Sequence, residues 1–307
     1  MSKIAVFGGL GFIGQNLCKD LLQDNEVIVF DNHSNPSRLS GELSYYASDA
    51  TIKRQVDEFF AKYQFDAVIN LVANADIQVS TTDRFIDFEL SPLANLNILA
   101  ACEQYKVPKF VYFSGSGVYG PSEDLTPKYE DDASLNCPSM YACSKISCES
   151  FCTAFANTSD MSVSILRPAN IIGPGLTHGL IYDVLLRIKM NRDQIHILGN
   201  GTQQKSYIHT DDIISGVRLM LDTKEKVSIF NIASDDTITV KEIVDEIIEQ
   251  TGFGTKVKYG EKNIGWVGDV PKIQLNCDKL KSVGWAPKYN SRQAVVESVK
   301  ANLDLLF

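Results

Sequence analysis

Three glycines, each three residues after the last, follow the first apolar run of the chain. The run covers residues 4–7 (IAVF) and the motif covers residues 8–14 (GGLGFIG). Glycines at such a point allow a tight turn from a strand into a helix. The N-terminus of that helix can bind an anionic group of a ligand. The G-x-x-G-x-x-G spacing differs from the common G-x-G-x-x-G, but the same physics applies. The motif therefore predicts a turn that binds the pyrophosphate of a dinucleotide, and the alternative is a turn with a structural role alone.

Short apolar runs recur through the first half of the chain, with helical patterns between them. The runs cover residues 4–7, 27–30, 67–72, 110–113 and 163–166, and the helical patterns cover 15–23, 52–63 and 93–105. Strands that alternate with helices form a parallel sheet, and nearly all-apolar strands indicate that helices cover both of its faces. The sequence predicts an α/β fold, a Rossmann-type doubly wound parallel sheet.

The pattern changes after Pro168. Turn signals at residues 173–175 (GPG) and 199–201 (GNG) precede an amphipathic helix at residues 240–250. We predict a smaller, mixed C-terminal substrate lobe built from interleaved segments. The predicted dinucleotide-binding domain covers residues 1–170, with 206–232 returning to it, and the predicted lobe covers 171–205 and 233–307.

Charge and cysteine content restrict the partners. The 307 residues carry a formal charge of −9 without a basic cluster, which argues against nucleic acid. No apolar run approaches the roughly 18 residues of a membrane helix, and the N-terminus leads straight into a strand without a signal peptide. The seven cysteines include no Cys-x-x-Cys pair, so we expect neither a metal site nor disulfides. These features predict a reduced cytoplasmic protein without a membrane partner.

Two acidic residues are candidates for cofactor contacts. Asp31 ends the second predicted strand, where a carboxylate can accept both ribose hydroxyls of NAD and would repel the 2′-phosphate of NADP. The nearest arginine is Arg38, so the sequence favours NAD; the alternative is an aspartate that caps a turn before Asn32. Asp49, followed by Ala50, is a weaker candidate for the adenine edge and could equally belong to a surface turn.

A tyrosine and a lysine four residues apart, Tyr141 and Lys145, share one face of a predicted helix. Oxidation of an alcohol needs a base, and a free tyrosine with a pKa of about 10 is too weakly acidic at neutral pH. A neighbouring ammonium and a positive nicotinamide would favour tyrosinate. The loop at residues 114–120 (SGSGVYG) adds Ser116 and Ser114 as hydroxyls that could bond the substrate oxygen. The alternative for Tyr141 and Lys145 is a helical spacing that arises by chance, and the alternative for the loop is a serine-rich turn without a catalytic role.

Taken in order, these motifs resemble the extended short-chain dehydrogenases/reductases, the NAD-dependent epimerase/dehydratase group that acts on nucleotide sugars. The resemblance covers nearly the whole chain. It includes Asp31 and the segments GGLGFIG, SGSGVYG, YACSK, RPAN with IIGP, KSYIH and GDVP at residues 268–271. Members similar to UDP-glucose and UDP-glucuronate 4-epimerases match best.

The resemblance implies a set of roles. Tyr141 would act as the base that allows bound NAD to oxidise the sugar at C4, with Lys145 as its partner. Residues implied to bind the cofactor are Gly8, Gly11, Phe12, Ile13, Gly14, Asp31, Asn32, Asp49, Ala50, Leu71, Val72, Ala73, Tyr141, Lys145 and Pro168. Residues implied to bind the nucleotide sugar are Asn170, Lys205, Tyr207, Asp269 and Ile273.

The loop before Val118 departs from the family pattern. Dehydratases carry an Asp-Glu pair where this chain has Ser116 and Gly117, and UDP-glucuronate decarboxylases carry a glutamate at the second of these positions. The resemblance therefore argues against both reactions. Gly115 replaces the usual Ser or Thr, so the hydroxyl role could pass to a neighbouring serine.

The substrate positions depart from the pattern as well. Two arginines that bind the diphosphate in hexose epimerases align with Lys205 and Trp266. Lys205 keeps the positive charge but cannot form the bidentate contact of an arginine, and Trp266 carries no charge. Ile273 replaces a tyrosine that limits sugar size. The smaller side chain implies room for a C2 or C6 substituent on the sugar.

The resemblance predicts a nucleotide-sugar 4-epimerase with NAD as its cofactor. One alternative is a 4-dehydrogenase or 4-ketoreductase, which stops after one hydride transfer. An alternative from another class is a non-catalytic NAD-sensing scaffold, which the presence of both Tyr141 and Lys145 disfavours. The family also implies a homodimer through a four-helix bundle, formed here by helices near residues 93–105 and 139–156.

Overall fold

The computed structural model describes residues 1–33, 43–265 and 269–307 of the chain. In this part of the chain the strands are β1 (Lys3–Phe7), β2 (Glu26–Asp31), β3 (Ser44–Ala47), β4 (Ala67–Asn70), β5 (Lys109–Phe113), β6 (Ser162–Pro168), β7 (Asn170–Ile172), β8 (Gln194–Ile197), β9 (Gln204–Lys205), β10 (Tyr207–His209), β11 (Val227–Ile232), β12 (Ile238–Thr239), β13 (Lys256–Tyr259) and β14 (Lys272–Ile273).

The helices predicted from the sequence are present, with bounds that differ by at most three residues, and the described residues form further helices as well. They are α1 (Phe12–Leu21), α2 (Lys53–Lys62), α3 (Ile86–Phe88), α4 (Ala94–Gln104), α5 (Met140–Thr158), α6 (Leu180–Met190), α7 (Thr210–Asp222), α8 (Val240–Thr251), α9 (Asp278–Ser282) and α10 (Ser291–Leu306). A π-helical turn, Glu89–Leu93, contains Pro92 and joins α3 to α4. Because proline lacks an N–H, it cannot make the regular helical bond there, which suits a local widening of the helix.

A seven-stranded sheet has the spatial order β3-β2-β1-β4-β5-β6-β11. Every neighbouring pair from β3 to β6 is parallel. The chain builds outward from β1 to β2 and β3 on one side and to β4 on the other. A crevice therefore lies at the carboxyl ends of β1 and β4, the place where such sheets bind ligands. The predicted Rossmann-type doubly wound sheet is confirmed.

The chain forms two compact units, and the first consists of Met1–Val118, Ser139–Arg167 and Ile214–Phe230. An aromatic cluster fills one face of its sheet: the Phe7 ring lies 4.6 Å from that of Phe30 and 5.6 Å from that of Phe59. All three side chains are buried, and each full burial contributes about 1.5–3 kcal/mol. This packing fixes the end of β1, and with it the start of the glycine motif.

The second unit consists of Tyr119–Pro138, Pro168–Ile213 and Asn231–Phe307. Its three-stranded sheet, with order β12-β9-β14, is mixed, because β9 is antiparallel to β12 and parallel to β14. Its two-stranded sheets, β10-β7 and β13-β8, are parallel. The predicted amphipathic helix is α8, which begins at a capping box: Thr239 accepts a bond from Glu242 N–H at 3.1 Å, and the Glu242 carboxylate accepts one from Thr239 N–H at 2.8 Å.

Three further properties concern the described residues. None of their helices is both long and apolar enough to cross a membrane. They contain no group of three or more side chains arranged to hold a metal ion. All seven cysteines are free thiols, and burial raises the pKa of Cys102 and Cys152 well above the ordinary value, which makes these two thiols poorly reactive.

Candidate active site

The glycine motif forms the turn between β1 and α1. Gly8 has a φ of +77°, and a Cβ there would lie 3.2 Å from the Leu71 carbonyl carbon and the Val72 nitrogen. A Cβ on Gly14 would lie 2.5 Å from the Gly8 oxygen, so only glycine lets α1 pack on the turn. The residue before α1 is Gly11, which has no side chain to cap the helix. The N-terminus of α1 therefore suits a pyrophosphate. Its first residues are Phe12, Ile13 and Gly14.

The Asp31 carboxylate lies at the end of β2, beside this turn, and is buried. Its Oδ2 accepts a hydrogen bond from Leu10 N–H at 2.9 Å, and its Oδ1 accepts one from His33 N–H at 3.0 Å. The His33 ring Nδ1 lies 3.2 Å from the same Oδ1, a contact that no sequence motif signals. Each carboxylate oxygen has two lone pairs, so acceptor sites remain for a ribose. Asn32 follows directly, and Arg38 lies outside the described residues.

The carboxyl end of β4 forms the other wall of the crevice. Leu71, Val72 and Ala73 follow this strand directly. The Leu71 N–H donates to the last carbonyl of β1 at 2.9 Å, and the Val72 N–H donates to the side chain of Asn70 at 3.0 Å. These bonds hold the segment against the glycine turn. The close approach is possible because Gly8 has no side chain between the two backbones.

Asp49 takes part in the turn that starts α2. Its Oδ1 accepts two hydrogen bonds from Thr51, one from the N–H and one from the hydroxyl, both at 2.8 Å. Ala50 is buried, and its carbonyl accepts a bond from the Asn97 amide at 2.9 Å. These bonds agree with the alternative that Asp49 stabilises a turn. A contact between Asp49 or Ala50 and adenine stays a prediction.

Tyr141 and Lys145 lie one turn apart on α5, which begins just before them because the Ser139 hydroxyl caps it at 3.2 Å from the Ala142 N–H. The Lys145 side chain is buried, and its ammonium donates to the Phe113 carbonyl at 2.8 Å. The same ammonium lies 5.4 Å from the centroid of the Tyr141 ring. A buried cation thus lies between the end of β5 and the ring of the tyrosine that the sequence predicts as its partner.

The loop after β5 presents its two serines differently. Ser114 is buried, and its hydroxyl oxygen has no hydrogen-bond partner among the described residues. Ser116 is half-buried and begins a short 3₁₀ turn, Ser116–Tyr119. A substrate oxygen can approach a partly exposed hydroxyl more readily than an enclosed one. The geometry therefore favours Ser116 over Ser114, and the catalytic role of either stays a prediction.

Gly115 lies between these serines and next to Tyr141. A Cβ built on Gly115 would lie 3.9 Å from the Tyr141 hydroxyl oxygen and 4.0 Å from its ring carbon Cε1, and apart from its two chain neighbours no other described residue comes within 4 Å. No sequence motif indicates this proximity, since the two residues are far apart in the chain.

The second unit brings four of the predicted substrate residues into two pairs. The Lys205 ammonium donates to Asp269 Oδ1 at 2.7 Å, and Asp269 Oδ2 accepts from Gly265 N–H at 3.0 Å. Asn170 and Tyr207 are register partners in β7 and β10 and share a side-chain hydrogen bond. Burial raises the pKa of Tyr207 to about 12, so this hydroxyl keeps its proton.

The remaining predicted residues have these positions. Pro168 ends β6 and is buried, and Ile273 ends β14 with 4% of its surface exposed. The side chain of Ile273 points to the same face of its sheet as that of its register partner Lys205. Trp266 and Gly268 lie outside the described residues.

The chain is similar to known proteins over nearly its whole length. The sequence model of the NAD dependent epimerase/dehydratase family matches residues 4–233. A UDP-glucose 4-epimerase of Corynebacterium glutamicum is 25% identical over 317 aligned residues, 97% of this chain and 95% of that protein. The crystal structure of a UDP-glucose 4-epimerase from Thermotoga maritima with UDP-glucose is 26% identical, with a TM-score of 0.91 over 99% of this chain and 100% of that one. A complex of MoeE5 with UDP-glucuronic acid and NAD is 25% identical, with a TM-score of 0.88 over 99% and 100% of the chains.

Proposed function

Because the chain belongs to the NAD-dependent epimerase/dehydratase family, we propose that it is a nucleotide-sugar 4-epimerase. The observation that carries the proposal is the Tyr141–Lys145 pair, with its buried ammonium bonded to the end of β5. A tyrosine beside such a cation can take a proton from a sugar hydroxyl as hydride leaves the same carbon. Ser116 and Gly117 provide no carboxyl group for dehydration or decarboxylation, which favours plain hydride exchange.

The residues of the first unit would act in sequence. Tyr141 takes the proton of the 4-hydroxyl, Lys145 stabilises the tyrosinate, and Ser116 donates a hydrogen bond to the same oxygen. The glycine turn, Asp31 and the segment after β4 would hold NAD, which would supply a reversible hydride acceptor for C4. Return of the hydride to the opposite face of the 4-keto sugar would invert C4. Tyr141 then gives the proton back to the oxygen. No net oxidation occurs, so the cofactor stays bound between turnovers.

The second unit would hold the nucleotide end of the substrate. Lys205, kept in place by Asp269 at 2.7 Å, offers an ammonium to the diphosphate, and the Asn170–Tyr207 pair offers polar groups to the diphosphate or sugar. Holding the substrate by its diphosphate leaves the sugar free to turn its other face between the two hydride transfers.

We further propose that the substrate is a UDP-sugar with a substituent at C2 or C6. Ile273 supports this part of the proposal, because it is smaller than the tyrosine that limits sugar size in related enzymes. Similar solved proteins were crystallised with UDP-glucose and with UDP-glucuronic acid, which differ at C6. The sugar is therefore best sought among UDP-hexoses modified at these two carbons.

A substrate panel tests the proposed function. The purified protein is incubated with UDP-glucose, UDP-glucuronic acid and UDP-N-acetylglucosamine, with GDP- and dTDP-sugars as controls for the nucleotide, and products are identified by NMR. We expect at least one UDP-sugar with a C2 or C6 substituent to form its C4 epimer without net NADH. Free NADH without an epimer would contradict the proposal and favour a 4-dehydrogenase.

We also propose a homodimer through α4 and α5. Apolar side chains are exposed on α5 and on α3 and α4, which both pack against it: Phe88 is 52% exposed, Leu96 37% and Phe151 36%. Pairing this face with a second copy would form a four-helix bundle and remove the apolar surface from water.

Leu96→Glu should convert a dimer into a monomer, because it places a charge among the exposed apolar side chains of the proposed interface. The matched control is Leu305→Glu, at a more exposed leucine (66%) on α10. Light scattering after gel filtration gives the mass of each variant. A dimer that persists in Leu96→Glu, or a wild-type monomer, would show that this face is not the interface.

A further inference from the structure

Gly115 differs from the glycines at positions where the backbone conformation or close packing excludes a side chain. Its φ is outside the left-handed region, whereas Gly8 and Gly120 have φ values of +77° and +78°. A side chain at Gly115 would also meet no steric barrier, because its Cβ would make an ordinary van der Waals contact with Tyr141 at 3.9 Å. At Gly14, by contrast, the Cβ would lie 2.5 Å from backbone atoms. Neither the backbone conformation nor the packing of the first unit therefore accounts for glycine at position 115.

Apart from the chain neighbours of Gly115, Tyr141 is the one described residue with atoms within 4 Å of this Cβ position, so a side chain there would lie beside the hydroxyl of the proposed base. The Cβ position lies 3.9 Å from the Tyr141 oxygen, within reach of any group carried near the sugar oxygen that Tyr141 would deprotonate. C4 is bonded to C3 and C5, and C5 carries C6. Groups on C3 and at C6 are therefore the parts of a sugar that could enter this space.

We propose that Gly115 is a specificity-determining residue, which leaves room beside Tyr141 for a group at C6 of the sugar. This inference rests on the proposed function, which places O4 on Tyr141 and expects a substituent at C2 or C6; of these two carbons, C6 is the one adjacent to the reacting end. The substrate class that fits is a nucleotide-linked hexose with a bulky group at C6, and a hexuronic acid is the probe for it. Its carboxylate is larger than the hydrogen that a pentose carries on C5.

The test compares two sugar classes on one variant. For wild type and Gly115→Ala, kcat and KM are measured with UDP-glucuronic acid, which has a C6 carboxylate, and with UDP-xylose, which has no C6. A methyl group in a close-fitting site discriminates by about 10- to 200-fold. We expect the ratio of kcat/KM for the uronic acid to that for the pentose to fall at least about tenfold in Gly115→Ala, mainly through KM.

Ser116→Ala is the matched control in the same loop. It removes a hydroxyl proposed to act at O4, which both sugars share, so it should lower kcat for both and leave the ratio within about threefold. A second variant, Gly115→Ser, tests the space with a polar side chain and should lower the same ratio. NAD affinity, measured by calorimetry for each variant, separates local effects from damage to the fold.

Two outcomes overturn the proposal, and they differ from a failure of the proposed function. A ratio that changes less than about threefold in both Gly115 variants, or a ratio that rises, would show that the space does not hold the C6 group. A wild-type protein that epimerises no sugar of either class, nor any other in the substrate panel, would instead contradict the 4-epimerase activity itself.

Discussion

Tyr141→Phe is expected to lower kcat for C4 epimerisation by about 1,000-fold, within the range of 10²–10⁴ that a positioned acid–base group contributes. The substitution removes one oxygen atom and keeps the ring that lies 5.4 Å from the Lys145 ammonium. The hydride cannot leave C4 unless a base takes the hydroxyl proton, and no other side chain is proposed for that step. NAD affinity should stay within a few-fold of wild type, because the ring still lines the site.

The matched control is Tyr63→Phe, which removes a hydroxyl from another half-buried tyrosine of the first unit. Product formation is followed by NMR, and thermal unfolding confirms that both variants fold. Lys145→Met should also lower kcat, since it removes the cation and leaves the Phe113 carbonyl without its 2.8 Å donor. Wild-type turnover in Tyr141→Phe would remove Tyr141 from the mechanism and reopen the assignment of the base.

The sequence predicted the parallel sheet because its strands are covered on both faces and therefore read as continuous apolar runs. The edge strand β3 escaped prediction, since it is only Ser44–Ala47, is partly exposed and lacks an apolar run. The π-helical turn before α4 also has no periodic signal, although Pro92 marks the place. Local patterns thus identified buried elements and missed those whose conformation depends on an edge or a bulge.

The pairing of chemical groups in the site was predictable where sequence spacing fixes it, as for Tyr141 and Lys145 on one helix. It was not predictable where the contact is long-range. The bond from Lys145 to Phe113, and the approach of Gly115 to Tyr141, depend on how α5 packs against the end of β5. The difference between an enclosed Ser114 and a half-buried Ser116 also arises from that packing, so two equivalent candidates in the sequence become distinct in the fold.

Gly14→Ala is expected to weaken NAD binding at least about 100-fold. The added methyl carbon would lie 2.5 Å from the Gly8 oxygen and 2.5 Å from the Gly9 Cα, both backbone atoms that cannot rotate away. The only relief is for α1 to move off the turn, which separates the helix N-terminus from the place where the pyrophosphate would lie. We also expect a loss of stability of about 1–3 kcal/mol, the usual range for overpacking a tight contact.

Gly11→Ala provides a graded control in the same motif. A Cβ there would lie 3.3 Å from the Gly8 oxygen, a contact that a shift of a few tenths of an ångström relieves, and Gly11 has a φ of −70° that alanine adopts freely. NAD affinity, measured by calorimetry beside far-UV circular dichroism, should therefore fall less than about tenfold in Gly11→Ala. Because the two variants add the same methyl group to one turn, their difference isolates the packing of α1 on that turn. Equal affinities in folded samples of both variants would mean that the approach of α1 to Gly8 does not position the pyrophosphate, and that the cofactor is held mainly by Asp31 and the end of β4.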